Sequence, residues 1–209
     1  MKKAEQPATP PDPDLASRLS PVASNRLVVV AEDDEGLCWV VCRWLERHDL
    51  TTLGVHSGAD ALAAVQEHPD CLLLLDYILP DLNAQQLLNK LGELNLHVPF
   101  IVMTGRGDER VAVEMMKLGA RDYIVKQVDF TDLLVPVVER VLAQLATEER
   151  LATSEKALRE SETRLHAVFD NSRDSISLSR NGLHVLVNPA YVRMFGLPDA
   201  EGLIGTPTD

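Results

Sequence analysis

Cationic residues are in short supply in this chain: 20 lysines and arginines stand against 32 aspartates and glutamates, a net charge of −12 over 209 residues. A nucleic-acid-binding face needs clustered Lys and Arg, so this balance argues against one. The acidic surplus is either solvated surface or the wall of a cation site. Long apolar runs are missing too. None approaches the ~20 residues that a membrane-spanning helix needs. Lys2 and Lys3 are followed by no apolar segment, so no signal peptide is expected either. Cysteine is sparse, with Cys38, Cys42 and Cys71 all in apolar surroundings. An odd count without a secretion signal suits reduced thiols in a cytoplasmic protein. Cys38 and Cys42 are four apart and can share a helix face, but no His or second Cys pair accompanies them, which favours core packing over a metal. With 45% hydrophobic and 25% charged residues, the chain has the make-up of a soluble globular protein, long enough for one domain and part of another or for two small ones.

Residues 1–25 hold five of the twelve prolines and almost no large apolar side chains. They bury too little surface to offset ordering entropy, so a disordered arm is expected there. From Leu27 the pattern changes. Leu27–Ala31 reads as a short buried strand, and Leu37, Val40, Val41, Trp44 and Leu45 follow at helical spacing over about 36–48. A strand at 51–55, a helix capped by Ser57, a strand at 71–75 and a helix through Leu87, Leu88 and Leu91 come next. A strand at 98–103, a helix ending at Gly119, a strand at 123–125 and a helix from about Thr131 complete the series. Five strands alternating with five helices predict an α/β fold, a doubly wound parallel sheet with right-handed crossovers. An arrangement of this size is the flavodoxin-like (βα)5 order 2-1-3-4-5, whose crevice lies between the ends of strands 1 and 3.

The fifth helix does not stop where such a domain should. Leu151, Leu158 and Leu165 recur every seven residues, with Ser154, Ser161 and Val168 at the intermediate core positions. That spacing predicts an extended C-terminal helix that pairs with a second copy as a coiled coil over 147–168, with a stutter near 146–150; the competing reading is a single helix packed on its own domain. From Phe169 the helical pattern gives way to an alternating strand, Ser175–Ser179. An Arg180-Asn181-Gly182 turn, a return strand Leu183–Val187 and a short helix opening at Asn188-Pro189 follow.

Leu72-Leu73-Leu74-Leu75 reads as a strand buried on both faces, and Asp76 ends it. Alone, Asp76 reads equally well as a cap or a turn residue. The partners decide. Glu32 and Asp33 end strand 1, Thr104 follows strand 4 and Lys126 follows strand 5. All five belong to the carboxyl edge, where open α/β sheets do their chemistry. Clustered carboxylates are tolerated by protonation or by a hard cation, and Mg²⁺ (or Mn²⁺) suits a small oxygen site completed by a phosphate group. A hydroxyl and an ammonium beside it are the groups needed to hold phosphoryl oxygens while the Asp76 carboxylate attacks.

Residues 26–146 resemble the receiver domain of bacterial response regulators. The resemblance is carried by Glu32-Asp33, the Asp76-x-x-x-Pro80 segment, Thr104, the Gly119-Ala120-x-Asp122-Tyr123 run and Lys126. It implies that Asp76 is the phosphoacceptor. It implies further that Asp33, Asp76 and the Ile78 carbonyl carry Mg²⁺, with Glu32 acting through water, and that Asp34 is a solvated extra acid. Thr104 and Tyr123 would form a two-state coupling to the face made by helix 4, strand 5 and helix 5. Three positions depart from the family's pattern. Gln127 stands where a cis proline is usual, Gly105 where alanine is common, leaving phosphate access open, and Ala84 where glycine is frequent. Residues 169–209, with the lead-in from about 156, resemble the first half of a PAS sensory domain through Phe169-Asp170-Asn171-Ser172, Val187-Asn188-Pro189-Ala190 and Phe195-Gly196. The expected whole is a partial α+β PAS domain behind a receiver and a linker, the front part of a longer signalling protein.

The implied function is two-component signalling. A sensor histidine kinase or histidine phosphotransfer protein donates the phosphoryl group to Asp76, and the long helix passes the change to the PAS segment and a later output. The chain itself is expected to be no enzyme beyond assisting its own phosphorylation and dephosphorylation. Other classes fit less well. An aspartyl phosphatase of the haloacid dehalogenase type needs a second acid two residues after the nucleophile, and Ile78 stands there. A dinucleotide enzyme needs a glycine-rich turn after strand 1, where Glu32-Asp33-Asp34-Glu35 stands. A phosphorylation-independent dimerisation module is the alternative, and it leaves the acid site unexplained.

Overall fold

The strands of the first half are short runs rich in β-branched and leucine side chains. The computed structural model describes residues 26–105, 109–196 and 199–208; the arm expected over 1–25 lies outside them. β1 (Val28–Ala31), α1 (Glu35–Glu46), β2 (Thr52–Val55), α2 (Gly58–Glu67), β3 (Leu72–Asp76), α3 (Ala84–Glu93), β4 (Phe100–Thr104), α4 (Glu109–Lys117) and β5 (Asp122–Val125) alternate. The strands pair in parallel in the order β2-β1-β3-β4-β5, the flavodoxin-like order expected. Parallel strands need crossovers, and the helices supply them on both faces.

The four leucines divide by alternation. Leu73 and Leu75 join Val29, Ala31, Ala61, Val65, Leu87 and Met115 in one buried cluster. Leu72 and Leu74 join Val28, Val30, Cys38, Val41, Leu45, Ile101 and Met103 in the other. That is why β3 reads as a continuous apolar run rather than an alternating one. Cys38 and Cys71 are buried and Cys42 half-buried, all as free thiols packed in the core.

Caps set the helix starts. Asp34 accepts from the Leu37 N–H at 2.9 Å at the head of α1, Ser57 from the Asp60 N–H at the head of α2, and Asn83 with Gln86 makes a reciprocal capping box on α3. Asp34 is exposed, as expected of a solvated acid outside the cluster, and it also caps this helix. Strand boundaries move by one or two residues as well. Asp76 and Thr104 are the last residues of β3 and β4 rather than the first beyond them, because their backbones still pair with Met103 and Val125.

The described residues form two units, one ending at Thr147 and the next beginning at Glu148. Helix α5 (Phe130–Asn171) crosses that boundary. Its first turns bury Leu134, Val138, Val141, Leu142 and Leu145 in the core, whereas every side chain from 148 to 168 is exposed. It ends three residues beyond the expected stop at 168, with the Asn171 amide donating to the Ala167 carbonyl inside the last turn. In the second unit β6 (Ser177–Arg180) and β7 (Leu183–Val187) form an antiparallel hairpin. Asn181 (φ 54°) and Gly182 (φ 74°) take the left-handed conformations that an Asn-Gly turn supplies. β6 starts later than expected because Asn188, fully buried, holds the preceding chain: its Oδ1 accepts from Ile176 and Tyr191, and its Nδ2 donates to the Phe169 and Asp174 carbonyls. The same Oδ1 caps α6 (Pro189–Met194).

Candidate functional site

Parallel register brings the strand ends together. Ala31 pairs with Leu75, Asp76 with Met103 and Thr104 with Val125, so the residues that close β1, β3, β4 and β5 share one edge. There Glu32, Asp33 and Asp76 each present a carboxylate oxygen, all within 4.8 Å of one another. Glu32 and Asp76 are buried, and Asp33 is exposed. The Glu32 backbone is fixed at both ends, its N–H on the Val55 carbonyl at 3.0 Å and its carbonyl accepting from His56 Nδ1 at 3.0 Å.

Lys126 closes the group. Its Nζ lies 2.7 Å from Glu32 Oε2 and 2.8 Å from Asp76 Oδ2, with most of the side chain buried. Burial works against the ammonium, but hydrogen bonds and attraction from Asp76 and Glu32 prevail and raise its pKa above the ordinary lysine value. For Glu32 burial is the largest influence and raises the pKa. The hydrogen bond from Lys126 opposes this, and the charges of Asp76 and Asp33 reinforce it. The edge thus holds more negative charge than one ammonium offsets. At an effective dielectric of 20, one like-charged pair at ~4 Å costs about 4 kcal/mol.

Gln127 in place of a cis proline does not misaim the lysine. No peptide among the described residues is cis. The Lys126 N–H donates to the Thr104 carbonyl at 2.7 Å, and the Gln127 N–H, which a proline would lack, donates to the Val125 carbonyl at 2.9 Å. These two bonds set the turn that carries the ammonium to the carboxylates.

Thr104 is 1% exposed and its Oγ1 has no hydrogen-bond partner, a buried hydroxyl that invites a polar guest. Gly105 beside it is exposed. Ile78 sits in the β3–α3 loop. There the Leu79 N–H donates to the Leu82 carbonyl and the Ala84 N–H to the Tyr77 carbonyl, which leaves the carbonyl of Ile78 itself out of the pairing. Tyr123, on β5, is 45% exposed. The structure therefore gathers Glu32, Asp33, Asp76, Thr104 and Lys126 at one edge, and leaves Tyr123 half-exposed to solvent. The three carboxylates form an all-oxygen donor set, the kind that suits a hard divalent cation.

Two contributors were not singled out from sequence. His56 holds the Glu32 carbonyl, and Asp81 ties the β3–α3 loop to α2, accepting from the Gly58 N–H at 2.7 Å and the Ala59 N–H at 2.9 Å. Only the position of Asp81 straight after Pro80 hinted at a loop role.

The chain belongs to the response regulator receiver domain family, whose pattern matches residues 28–138. Among curated proteins it is 33% identical over 130 residues to the transcriptional regulatory protein FixJ of Rhizobium meliloti, covering 62% of each chain. A longer but weaker likeness, 25% over 203 residues, links it to the sensor histidine kinase TmoS of Ectopseudomonas mendocina and covers 84% of this chain and 21% of that one. The chain thus spans less than two thirds of either relative. The crystal structure of FixJ-N superposes with a TM-score of 0.51 at 31% identity, over 56% of this chain and 93% of that one. Among the described residues no helix is long and apolar enough to cross a membrane.

Proposed function

We propose that this chain is a phosphorylation-controlled signal receiver in which Asp76 accepts a phosphoryl group from the phosphohistidine of a sensor kinase or phosphotransfer protein. The observation that carries the reading is the meeting of Lys126 with both Glu32 and Asp76 beside the unpartnered Thr104 hydroxyl. Glu32, Asp33, Asp76 and the Ile78 carbonyl would hold Mg²⁺ (or Mn²⁺), which when bound offsets carboxylate charge and binds phosphoryl oxygens. A carboxylate oxygen of Asp76 attacks phosphorus in line. The O–P bond forms as the donor P–N bond breaks, and the departing imidazole keeps the bonding pair and takes up a proton. Lys126 transfers its attraction from the Asp76 carboxylate to the incoming phosphoryl oxygens, and Thr104 donates its hydroxyl to one of them. Gly105 leaves the approach open. Tyr123, with Val128 and Leu133 exposed nearby, belongs to the α4–β5–α5 face that would report the change.

The product is an acyl phosphate, and its chemistry tests the reading. Incubation of the full chain with acetyl phosphate and Mg²⁺ should add one phosphoryl group that neutral hydroxylamine releases. A label that survives hydroxylamine would mark a hydroxyl ester and reject an aspartyl acceptor. Cation binding should also show in stability. A ligand at 100 times its Kd that binds only the folded state adds about 2.7 kcal/mol. Calorimetry should therefore show a melting temperature raised by several degrees in saturating Mg²⁺, reversed by chelation and lost in Asp33→Asn.

Signal output would pass along α5. Leu151, Leu158, Leu165 and Val168 are each 60–67% exposed and recur at coiled-coil spacing, which supports a linker over 147–168 that pairs two copies. The hairpin and α6 of the second unit suit the opening of a PAS domain over 169–209. Removing residues 147–209 should shift the oligomer towards monomer in multi-angle light scattering; an unchanged number of copies per particle would reject the coiled-coil linker.

A further inference from the structure

The loop that follows Asp76 is fastened in three places. Tyr77 holds β4 through its N–H on the Met103 carbonyl at 3.1 Å and holds α3 through its carbonyl, which accepts from Ala84 at 2.9 Å. Leu79 and Leu82 close the loop on itself. The third fastening reaches a different element. Both oxygens of Asp81 accept from the N–H groups of Gly58 and Ala59 at the head of α2, while that helix's own cap, Ser57, takes the next N–H, that of Asp60. Three orphan donors of one helix start are thus shared between a local cap and a carboxylate from 22 or 23 residues away. Leu82, buried, reinforces the joint. A Cβ on Gly58 would lie 2.4 Å from Leu82 Cγ, so glycine is needed there for the loop to seat against the helix.

We propose that Asp81 is a positioning residue for the phosphoryl site: by clamping the β3–α3 loop to the start of α2, it fixes the Ile78 carbonyl against the acids. This rests on the reading of Glu32, Asp33, Asp76 and Ile78 as cation ligands. The physical case is one of economy of tethers. Ile78 lies between the Tyr77 and Leu79 fastenings, and its carbonyl takes no part in the loop's own pairing, so its aim depends on how rigidly the loop as a whole is held. Without Asp81 the loop keeps its internal bond and the packing of Leu79 and Leu82, but loses its tie to α2. Two carboxylate bonds to backbone N–H groups are charge-assisted and favourably placed at a helix N-terminus, so they are a strong fastening for an exposed residue.

The test separates aim from stability. In the full chain, Asp81→Ala should weaken Mg²⁺ binding measured by titration calorimetry by about 10-fold, within the range usual for loss of a group that orients metal ligands. Its phosphorylation by acetyl phosphate should be slow at limiting Mg²⁺ and recover at saturating Mg²⁺. Asp81→Asn, which keeps one acceptor oxygen, should fall between. Ser57→Ala removes the other cap of the same helix start and should lower the melting temperature without moving the Mg²⁺ dependence. Mg²⁺ binding by Asp81→Ala equal to wild type, or an equal weakening in Ser57→Ala, would overturn the proposal. Should Asp81→Ala fail to fold, unchanged binding by Asp81→Asn overturns it instead. Failure of the wild type to take a phosphoryl group would sink the underlying reading, whereas a phosphorylated wild type with unaffected Asp81 variants rejects the positioning role alone.

Discussion

Lys126→Met slows phosphorylation from acetyl phosphate by about 10²–10³-fold, the cost typical of losing one preorganised donor to developing anionic charge. Methionine keeps the length and apolar stem of lysine, so packing is little disturbed and the loss falls on charge. In the wild type the ammonium lies 2.7 Å from Glu32 and 2.8 Å from Asp76. Its removal leaves two buried carboxylates facing each other with Asp33 alongside, an uncompensated arrangement that costs about 3–5 kcal/mol unless a group titrates. Glu32 is the group that does so. Its pKa, raised by burial, rises further once the hydrogen bond and attraction of Lys126 are gone. A carboxyl whose pKa is higher folded than unfolded binds more protons in the folded state, so its effect on stability improves as pH falls through that folded value and worsens as pH rises. Urea denaturation should therefore show Lys126→Met losing most against wild type at neutral pH and narrowing the gap in acid. On the alkaline side the wild type alone carries the stabilisation from Lys126. It is fully present below 10.5, the ordinary lysine value, and is lost as pH rises through the raised folded value.

Leu74→Ala is the second large effect, and it is one of stability: about 3–5 kcal/mol in urea denaturation, at the upper end for a buried leucine. Leu74 is fully buried in the central strand and pairs in register with Val30 and Ile101, which point to the same side. That side packs on Cys38 and Val41 of α1 and on Leu134 and Val138 of α5. With neighbours held by ladders on both flanks and helices above, the cavity has little freedom to collapse. A domain total of about 5–15 kcal/mol leaves little margin after such a loss. Val128→Ala, at a site 90% exposed, should stay within about 0.5 kcal/mol of wild type. Similar losses at the two sites would contradict the assignment of Leu74 to a tightly held core.

The sheet was legible because its physics is local. Runs such as Leu72–Leu75 need burial on both faces, and alternation with helical spacing leaves parallel crossovers as the solution. The acids and Lys126 were legible because strand ends of a parallel sheet fall on a known edge, whatever the distances between them. What sequence missed depends on contacts between distant segments. Asp34 is the local exception: it is exposed as expected, but its cap on the Leu37 N–H went unread although it stands just before an apolar helical pattern. Asp81 reaches Gly58 and Ala59 across the fold, and no spacing rule foretells such a bond. The turn at Gln127 was also opaque. The trans route to Lys126 runs through a Gln127 N–H that bonds the Val125 carbonyl, a contact visible only once the backbone is placed. Strand limits at Asp76 and Thr104 slipped by one residue because polar side chains end an apolar run before the backbone ladder ends.

The central claim is that Asp76, and no neighbouring acid, takes the phosphoryl group. Borohydride reduces an acyl phosphate to the alcohol, which converts the phosphorylated aspartate to homoserine. Full chain treated with acetyl phosphate and Mg²⁺, reduced, digested and sequenced by tandem mass spectrometry should carry homoserine at position 76, with aspartate retained at 33 and 34. Homoserine at Asp33 or Asp34 with aspartate intact at 76, or no homoserine in a sample whose intact mass shows the added phosphoryl group, would contradict it.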